Sequence, residues 1–479
     1  MCTQNESNPV DPIQEEINPR CIVKFRPADN WKGEYGFDWF REGDYEEYFF
    51  DNSKGNTVDL EDRHGNLVVQ NLKSKSHYKD DNLIGKYFTR MNDGFDYQFV
   101  NGRTQDPDNP DSTSRRFLNS LTIGNATSVF YEQFRDSYST ITITPDKKYV
   151  VPIISLFYKN EEKEEKGIWG KHEAKNVKLL IDGNNIDTDI SNLTLEFECT
   201  EGVEPVESIE GRSISKNVIT HFYETHIDIA LTEKISNHNN NGLIKVYAKT
   251  LADRFLAGEM IVEKCNPKYV HILFVPIPVK ITSQVSIVRK NLKQQQENIR
   301  RFFSQAQIVP IFHTLNYQND NRIKNKDIDK ILKKYKHLRK ENGCVVEIEL
   351  NASILGPLSF LFNEKYKEYN NWYKVFFFGI PGENRVLGTS SLLHPSWKSA
   401  AIFPCFFDSV ISHELTHCFG LWHSFSNNSP YTFEKYKTSN IMDYPLKPGL
   451  DLISYWKWQW DIMRGAAGVE DIESENYCV

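Results

Sequence analysis

The sequence predicts a multidomain chain in which two β-rich domains precede an α+β domain of about 200 residues. Three observations lead there. The chain has 479 residues, enough for several domains and a sizeable core. Up to about residue 268 it reads as short apolar stretches broken by Asn, Gly and Asp, the pattern of strands and turns. Beyond Tyr269, strand patterns alternate with stretches of helical period.

Composition narrows the function classes. With 39% hydrophobic and 25% charged residues the chain is of ordinary globular type. A formal net charge of −8 argues against nucleic acid or an anionic membrane as partner. No apolar run approaches the roughly 20 residues of a membrane-spanning helix. Residues 1–18 are polar and read as a flexible N-terminus. They lack the basic and apolar regions of a secretory signal, which leaves two expectations. The protein leaves its cell by a route that needs no such signal, or a signal has been removed and Cys2 carries a lipid anchor. The eight cysteines include no CxxC pair, so neither a zinc ribbon nor a redox dithiol is expected.

Residues 19–150 form the first β-rich domain, with short strands and polar turns. Its most distinctive stretch, Trp31–Arg41, interleaves aromatics with glycines. Such a stretch is either the core and turns of a small β domain or a contact surface, and the first reading is the commoner. Residues 151–268 form the second domain, with strands at Val177–Ile181, Leu193–Cys199, Val218–Leu231 and Leu243–Lys249. This spacing suggests an immunoglobulin-like sandwich, or one half of a larger β domain.

Residues 269–479 carry the third domain. Strands are expected at Val270–Val279, Ile308–Leu315, Cys344–Leu350, Tyr373–Gly379 and Arg385–Leu393. Helices are expected at Ser286–Gln305, where Val288, Leu292, Ile299 and Phe303 make one stripe, and at Asn325–Lys340. A further helix should begin near Asp408, a plausible N-cap, and a last one should run through Leu452, Trp456, Trp460 and Met463.

The helix after Asp408 contains His413-Glu414-Leu415-Thr416-His417-Cys418-Phe419-Gly420-Leu421-Trp422-His423. Residues four apart share a helix face, so His413 and His417 can offer imidazole nitrogens to one metal ion. Gly420 can take the left-handed conformation that ends a helix, and His423 then returns as a third ligand. Three protein ligands with an open position are what a catalytic Zn²⁺ needs. Glu414, beside the first ligand, can act as general base and then acid. Cys418 reads as a small buried hydrophobe.

This H-E-x-x-H-x-x-G-x-x-H pattern resembles that of the metzincin zinc metalloproteases. Their second signature, a tight turn with a methionine beneath the metal, is matched by Asn440-Ile441-Met442-Asp443-Tyr444. The resemblance implies one catalytic Zn²⁺ on His413, His417 and His423, with Met442 supporting the site and Tyr444 approaching the metal or the oxyanion. It implies an endopeptidase acting on proteins or peptides, with the fifth strand edging the cleft. Phe425, Tyr431 and Phe433 are then candidates for the wall of the substrate pocket. Pro19-Arg20-Cys21 is similar to the start of the matrixin latency motif, but the Gly and Asp that follow there are absent, and Cys21 reads as a strand residue. The Trp31–Arg41 segment is similar to N-terminal modules on cargo of Bacteroidetes contractile secretion systems. That implies an exported effector with a secretion-machinery partner for the N-terminal domains. The competing expectation is a delivery or binding protein whose protease domain is vestigial.

Overall fold

In a computed structural model of the chain, the described residues are 22–39, 60–61, 67–69, 90–91, 137–144, 147–158, 174–182, 194–205, 215–216, 223–237, 240–249, 254–281, 284–286, 292–320, 322–341, 344–383, 386–392, 395–404, 409–424, 429, 431–432, 439–444 and 452–471. The protein is β-rich, with several sheets and a smaller number of helices. No helix among these residues is long and apolar enough to cross a membrane. The expected tail, residues 1–18, and Cys21 lie outside the described residues.

Among the described residues, two facing sheets are built from β1 (Ile22–Pro27), β2 (Gly36–Asp38), β3 (Ile153–Ser155), β4 (Lys175–Asp182), β5 (Thr194–Cys199), β6 (Val203–Pro205), β7 (Tyr223–Leu231), β8 (Gly242–Lys249), β9 (Arg254–Val262) and one further two-residue strand. One sheet has the order β1-β4-β7-β6, with Ser215–Lys216 also beside β7; the other runs β5-β8-β9-β3-β2. Alternation along the strands aims Val177, Leu179 and Ile181 of β4, and Ile244, Val246 and Ala248 of β8, into one buried cluster. β1 pairs antiparallel with β4, Ile22 opposite Asp182, and β2 pairs with β3. Strands on both sides of the boundary expected at residue 150 therefore belong to the same sheets. The two β-rich regions share this pair of sheets because a strand's partner is chosen by which face it can bury, whatever the sequence distance.

The rest of the chain is organised on a mixed sheet. Its strands are β10 (Lys268–Ile277), β11 (Ile308–Thr314), β12 (Tyr373–Phe378), β13 (Gly388–Ser390), β14 (Ser399–Ile402) and β15 (Val469–Asp471). The order is β11-β10-β12-β14-β13, with β15 beside β10. The first four run parallel, while β13 is an antiparallel edge. Both faces are buried, as parallel strands require. Val270, Ile272 and Phe274 point into the cluster shared with the β sandwich. Leu273, Val275 and Ile277 point into a second cluster.

Helices α1 (Leu292–Phe303) and α4 (Val410–Cys418) contribute to the first cluster through Ile299, Phe302, Phe303, Ile411 and Leu415. Helices α2 (Asn325–Tyr335) and α3 (Leu355–Lys365) contribute to the second through Ile328, Leu332, Leu358 and Phe362. Helix α5 (Lys457–Arg464) adds Trp460 and Met463 to the first.

Several expected elements change extent. α1 begins at Leu292 rather than Ser286, because Gln284–Ser286 pairs with Val279–Ile281 in a hairpin. α2 stops at Tyr335 rather than Lys340: Lys336–Glu341 folds against Cys344–Leu350. The Asn342-Gly343 dipeptide between those strands is a strong hairpin signal that competes with the helical pattern before it. The fifth strand, expected over Arg385–Leu393, is confined to Gly388–Ser390, and β14 lies between it and β12.

The sandwich is joined to the mixed sheet by specific polar contacts as well as by apolar burial. The fully buried Gln305 amide donates to Gly33 O at 3.1 Å and to Ile453 O at 2.6 Å, and accepts from Tyr455 N at 2.8 Å. Asp38 accepts from Tyr138 OH at 2.6 Å and from Lys457 N, in the first turn of α5, at 2.8 Å. Arg464 reaches Glu263 at 2.6 Å. Trp31, Phe37 and Trp39, from the aromatic stretch singled out above, are buried in the shared cluster.

Candidate metal centre

Helix α4 is buried on all sides from Ile411 to Cys418, so its two histidines are rigidly placed. Asp408, the expected cap, lies outside the described residues. At the other end Gly420 has φ 96°, the left-handed region, and its N–H bonds His417 O at 2.9 Å. The chain reverses there, and Leu421 N returns to Thr416 O at 3.2 Å. His423 is thereby brought to the helix face that carries His413 and His417.

The three imidazoles converge. His417 Nε2 is 3.1 Å from His413 Nε2 and 3.1 Å from His423 Nε2. Ring orientation is set from behind: His413 Nδ1 donates to Ile441 O at 2.7 Å, and His417 Nδ1 to Leu421 O at 2.6 Å. A carbonyl oxygen only accepts, so both protons sit on Nδ1 and both Nε2 lone pairs face the common centre. Burial lowers the basicity of His413 to about 4 and that of His417 well below its ordinary value. Both are therefore neutral near pH 7, the form that binds metal. Two lone pairs opposed at 3.1 Å repel, and a shared cation relieves that repulsion. The donor set of three imidazole nitrogens suits a borderline divalent metal ion.

Glu414 is buried beside this centre. Burial pushes its carboxyl up to about 8, and a hydrogen bond from Ser390 partly offsets that. The carboxyl lies against the edge strand β13: a Cβ placed on Gly388 would come within 2.6 Å of Glu414 Cγ and 2.7 Å of Oε1. Only glycine allows that approach. Gly388 and Ser390 were not singled out from the sequence, because nothing local to Gly-Thr-Ser signals a residue 24 positions onward.

The turn below is a network of short bonds. Asn440 Oδ1 accepts from Met442 N at 2.8 Å, and Asn440 and Gln459 exchange amide bonds at 2.7 and 3.1 Å. Ser424 N donates to Met442 O at 2.9 Å, tying the chain after His423 to this turn. Met442 is fully buried in the cluster that holds Ile411 and Leu415. Tyr444 is half-buried, with its ring 4.8 Å from that of His423 and 5.9 Å from that of His413. Tyr455, fully buried, meets Thr416 Oγ1 of α4 at 2.5 Å.

The structure thus brings together His413, Glu414, His417, Gly420, His423, Met442 and Tyr444. Phe425 and Phe433, two of the expected wall residues, lie outside the described residues. Of the third, Tyr431, the backbone is described: Tyr431–Thr432 pairs antiparallel with Arg90–Met91. No protein-family model matches the chain, and no curated protein is significantly similar to it. Cys418 donates to Ser399 O at 3.2 Å, and burial pushes its thiol up to about 12, an unreactive environment.

Proposed function

We propose that the protein is a zinc-dependent endopeptidase of metzincin type. The observation that carries this reading is the joint geometry of α4 and the turn: three convergent imidazoles, two with tautomers set by backbone carbonyls, beside a buried carboxyl. His413, His417 and His423 would hold the ion. Zinc, when bound, supplies Lewis acidity toward a carbonyl oxygen and a water molecule.

The remaining chemistry belongs to the chain. Glu414 accepts a proton at its carboxylate and later delivers it to the leaving amine. A divalent cation next to it favours the ionised form and counters the effect of burial on its basicity. Ser390 holds the carboxyl by its hydrogen bond, and the absent side chain of Gly388 leaves room for it. β13 is an antiparallel edge, so an extended peptide can add to it by main-chain hydrogen bonds. Tyr444, whose ring lies beside that of His423, would donate its phenol O–H to a developing oxyanion.

The deciding experiment measures metal content by mass spectrometry on the purified full-length chain, with casein cleavage followed with and without a chelator. One zinc per chain and chelator-sensitive cleavage are expected. A protein that retains no metal after purification in zinc-containing buffer would overturn the proposal.

A further inference from the structure

A second histidine cluster lies on the opposite face of the mixed sheet from α4. Val270 and Ile272 of β10 point to the α4 side, so Tyr269 and His271, by alternation, belong to the other face. Phe312 of β11 packs on the α4 side, so His313 shares the face of His271. There His271 Nδ1 and His313 Nε2 are 3.3 Å apart. Two nitrogens held at 2.0–2.1 Å by one tetrahedral cation stand about 3.3–3.4 Å apart. The separation is also close to the 3.1 Å between neighbouring nitrogens of the α4 triad.

Both rings are braced. His271 stacks on the Trp372 indole with centroids 4.6 Å apart and planes at 11°, and His313 lies 4.2 Å from the same ring. Tyr269 meets His271 edge-on at 5.6 Å and donates its hydroxyl to Glu470 of β15 at 2.6 Å. The pair is half-buried, so it is reachable from solvent while its side chains are held. Desolvation lowers the basicity of both imidazoles; at His271 the neighbouring His313 lowers it further, and the Glu470 carboxylate acts in the opposite direction. Neutral imidazoles and a nearby carboxylate favour a cation.

We propose that His271 and His313 form a second metal site, a two-histidine site for a borderline divalent cation of the Zn²⁺, Ni²⁺ or Cu²⁺ class, separate from the α4 triad. Without a cation the two nitrogens share a single N–H···N hydrogen bond, which binding would replace. The protein supplies two ligands and water fills the remaining positions, so affinity is lower than at a three-histidine centre. Because Trp372 lies under both rings, its fluorescence reports on the site.

The test is calorimetric titration of Zn²⁺ into the chelator-stripped full-length chain. Beyond any equivalent bound by the triad, a further equivalent is expected, weaker by at least about tenfold. The double variant His271→Ala/His313→Ala should lose the weaker equivalent alone. The variant His413→Ala/His417→Ala should keep it, which makes the result independent of the function proposed for the triad. Ni²⁺ should quench part of the tryptophan emission in the unsubstituted chain and in His413→Ala/His417→Ala, and that part should vanish in Trp372→Phe. His313→Gln, which preserves bulk and polarity, serves where the double variant does not fold. Absence of the weaker equivalent, its survival without His271 and His313, or quenching that persists unchanged in Trp372→Phe would each overturn the proposal.

Discussion

Replacing Gln305 by alanine should weaken the whole molecule, although the residue touches no part of the metal centre. Its side chain makes three hydrogen bonds to main-chain groups of two distant segments, at Gly33 on one side and Ile453 and Tyr455 on the other. Alanine leaves two carbonyls and one N–H without this partner in a fully buried place. Each orphaned group costs about 1–3 kcal/mol, so the lower limit is about 3 kcal/mol. For a large domain this lowers Tm by about 6–12 °C, at about 2–4 °C per kcal/mol. Gln305→Glu should do no better, since a carboxylate can still accept from Tyr455 N but faces two carbonyl oxygens it cannot donate to. The effect should also reach the metal. Ile453 N and Ser454 N both bond Ser439 O, Ile441 N bonds Ser454 O, and Tyr455 OH meets Thr416 of α4, so loosening 453–455 loosens the turn that orients His413. Differential scanning calorimetry of the full-length chain, with the rate of zinc loss to a chelator measured alongside, reads both effects. A Gln305→Ala protein that melts within about 1 °C of the parent would refute the reasoning.

Three further outcomes are expected. Glu414→Gln should retain zinc and lose at least about 10²-fold in kcat, as expected for removal of a general base, read by peptide cleavage with metal content measured on the same sample. Gly388→Ala should cut kcat/KM while leaving zinc content intact, because its methyl group would occupy space now held by the Glu414 carboxyl; unchanged activity would mean the edge strand is not so close. In the chelated protein, His413 has a folded pKa of about 4 against an ordinary 6.5, so the unfolded state binds its proton first as pH falls. That contribution to stability is complete above about pH 6.5 and is lost between there and pH 4, on the order of 3 kcal/mol at about 1.4 kcal/mol per unit. Urea midpoints across this window, compared with His413→Ala, check it.

The parts of this fold most legible from sequence are those whose signal is local. The histidines, glutamate and glycine around α4 declare themselves by spacing, and the apolar runs of β10, β11 and β12 declare strands. The turn at Met442 was legible for the same reason. What escaped is set by distant partners. β14 is Ser-Ala-Ala-Ile, too small and too short to announce a strand, and it is one because β12 and β13 flank it. The end of α2 is decided by the hairpin that follows, where the Asn342-Gly343 signal outweighs helical periodicity. Gln305, Gln459 and Ser390 are ordinary polar residues in sequence. Their roles arise only when segments far apart in the chain meet.

The span between Asp38 and Lys457 has a consequence for how the protein is made. These residues, 419 positions apart, bond directly, and Gly33 shares the Gln305 amide with Ile453 and Tyr455. At about 5–20 residues per second, a ribosome needs about 20–80 s to make the second partner after the first. For that time Trp31, Phe37 and Trp39 have emerged but their covering helix has not been synthesised. The aromatic stretch therefore reaches its final place only after residue 457 has been made. The nascent chain presents a sticky tryptophan-rich segment for many seconds, which is the state in which a holding chaperone would meet it.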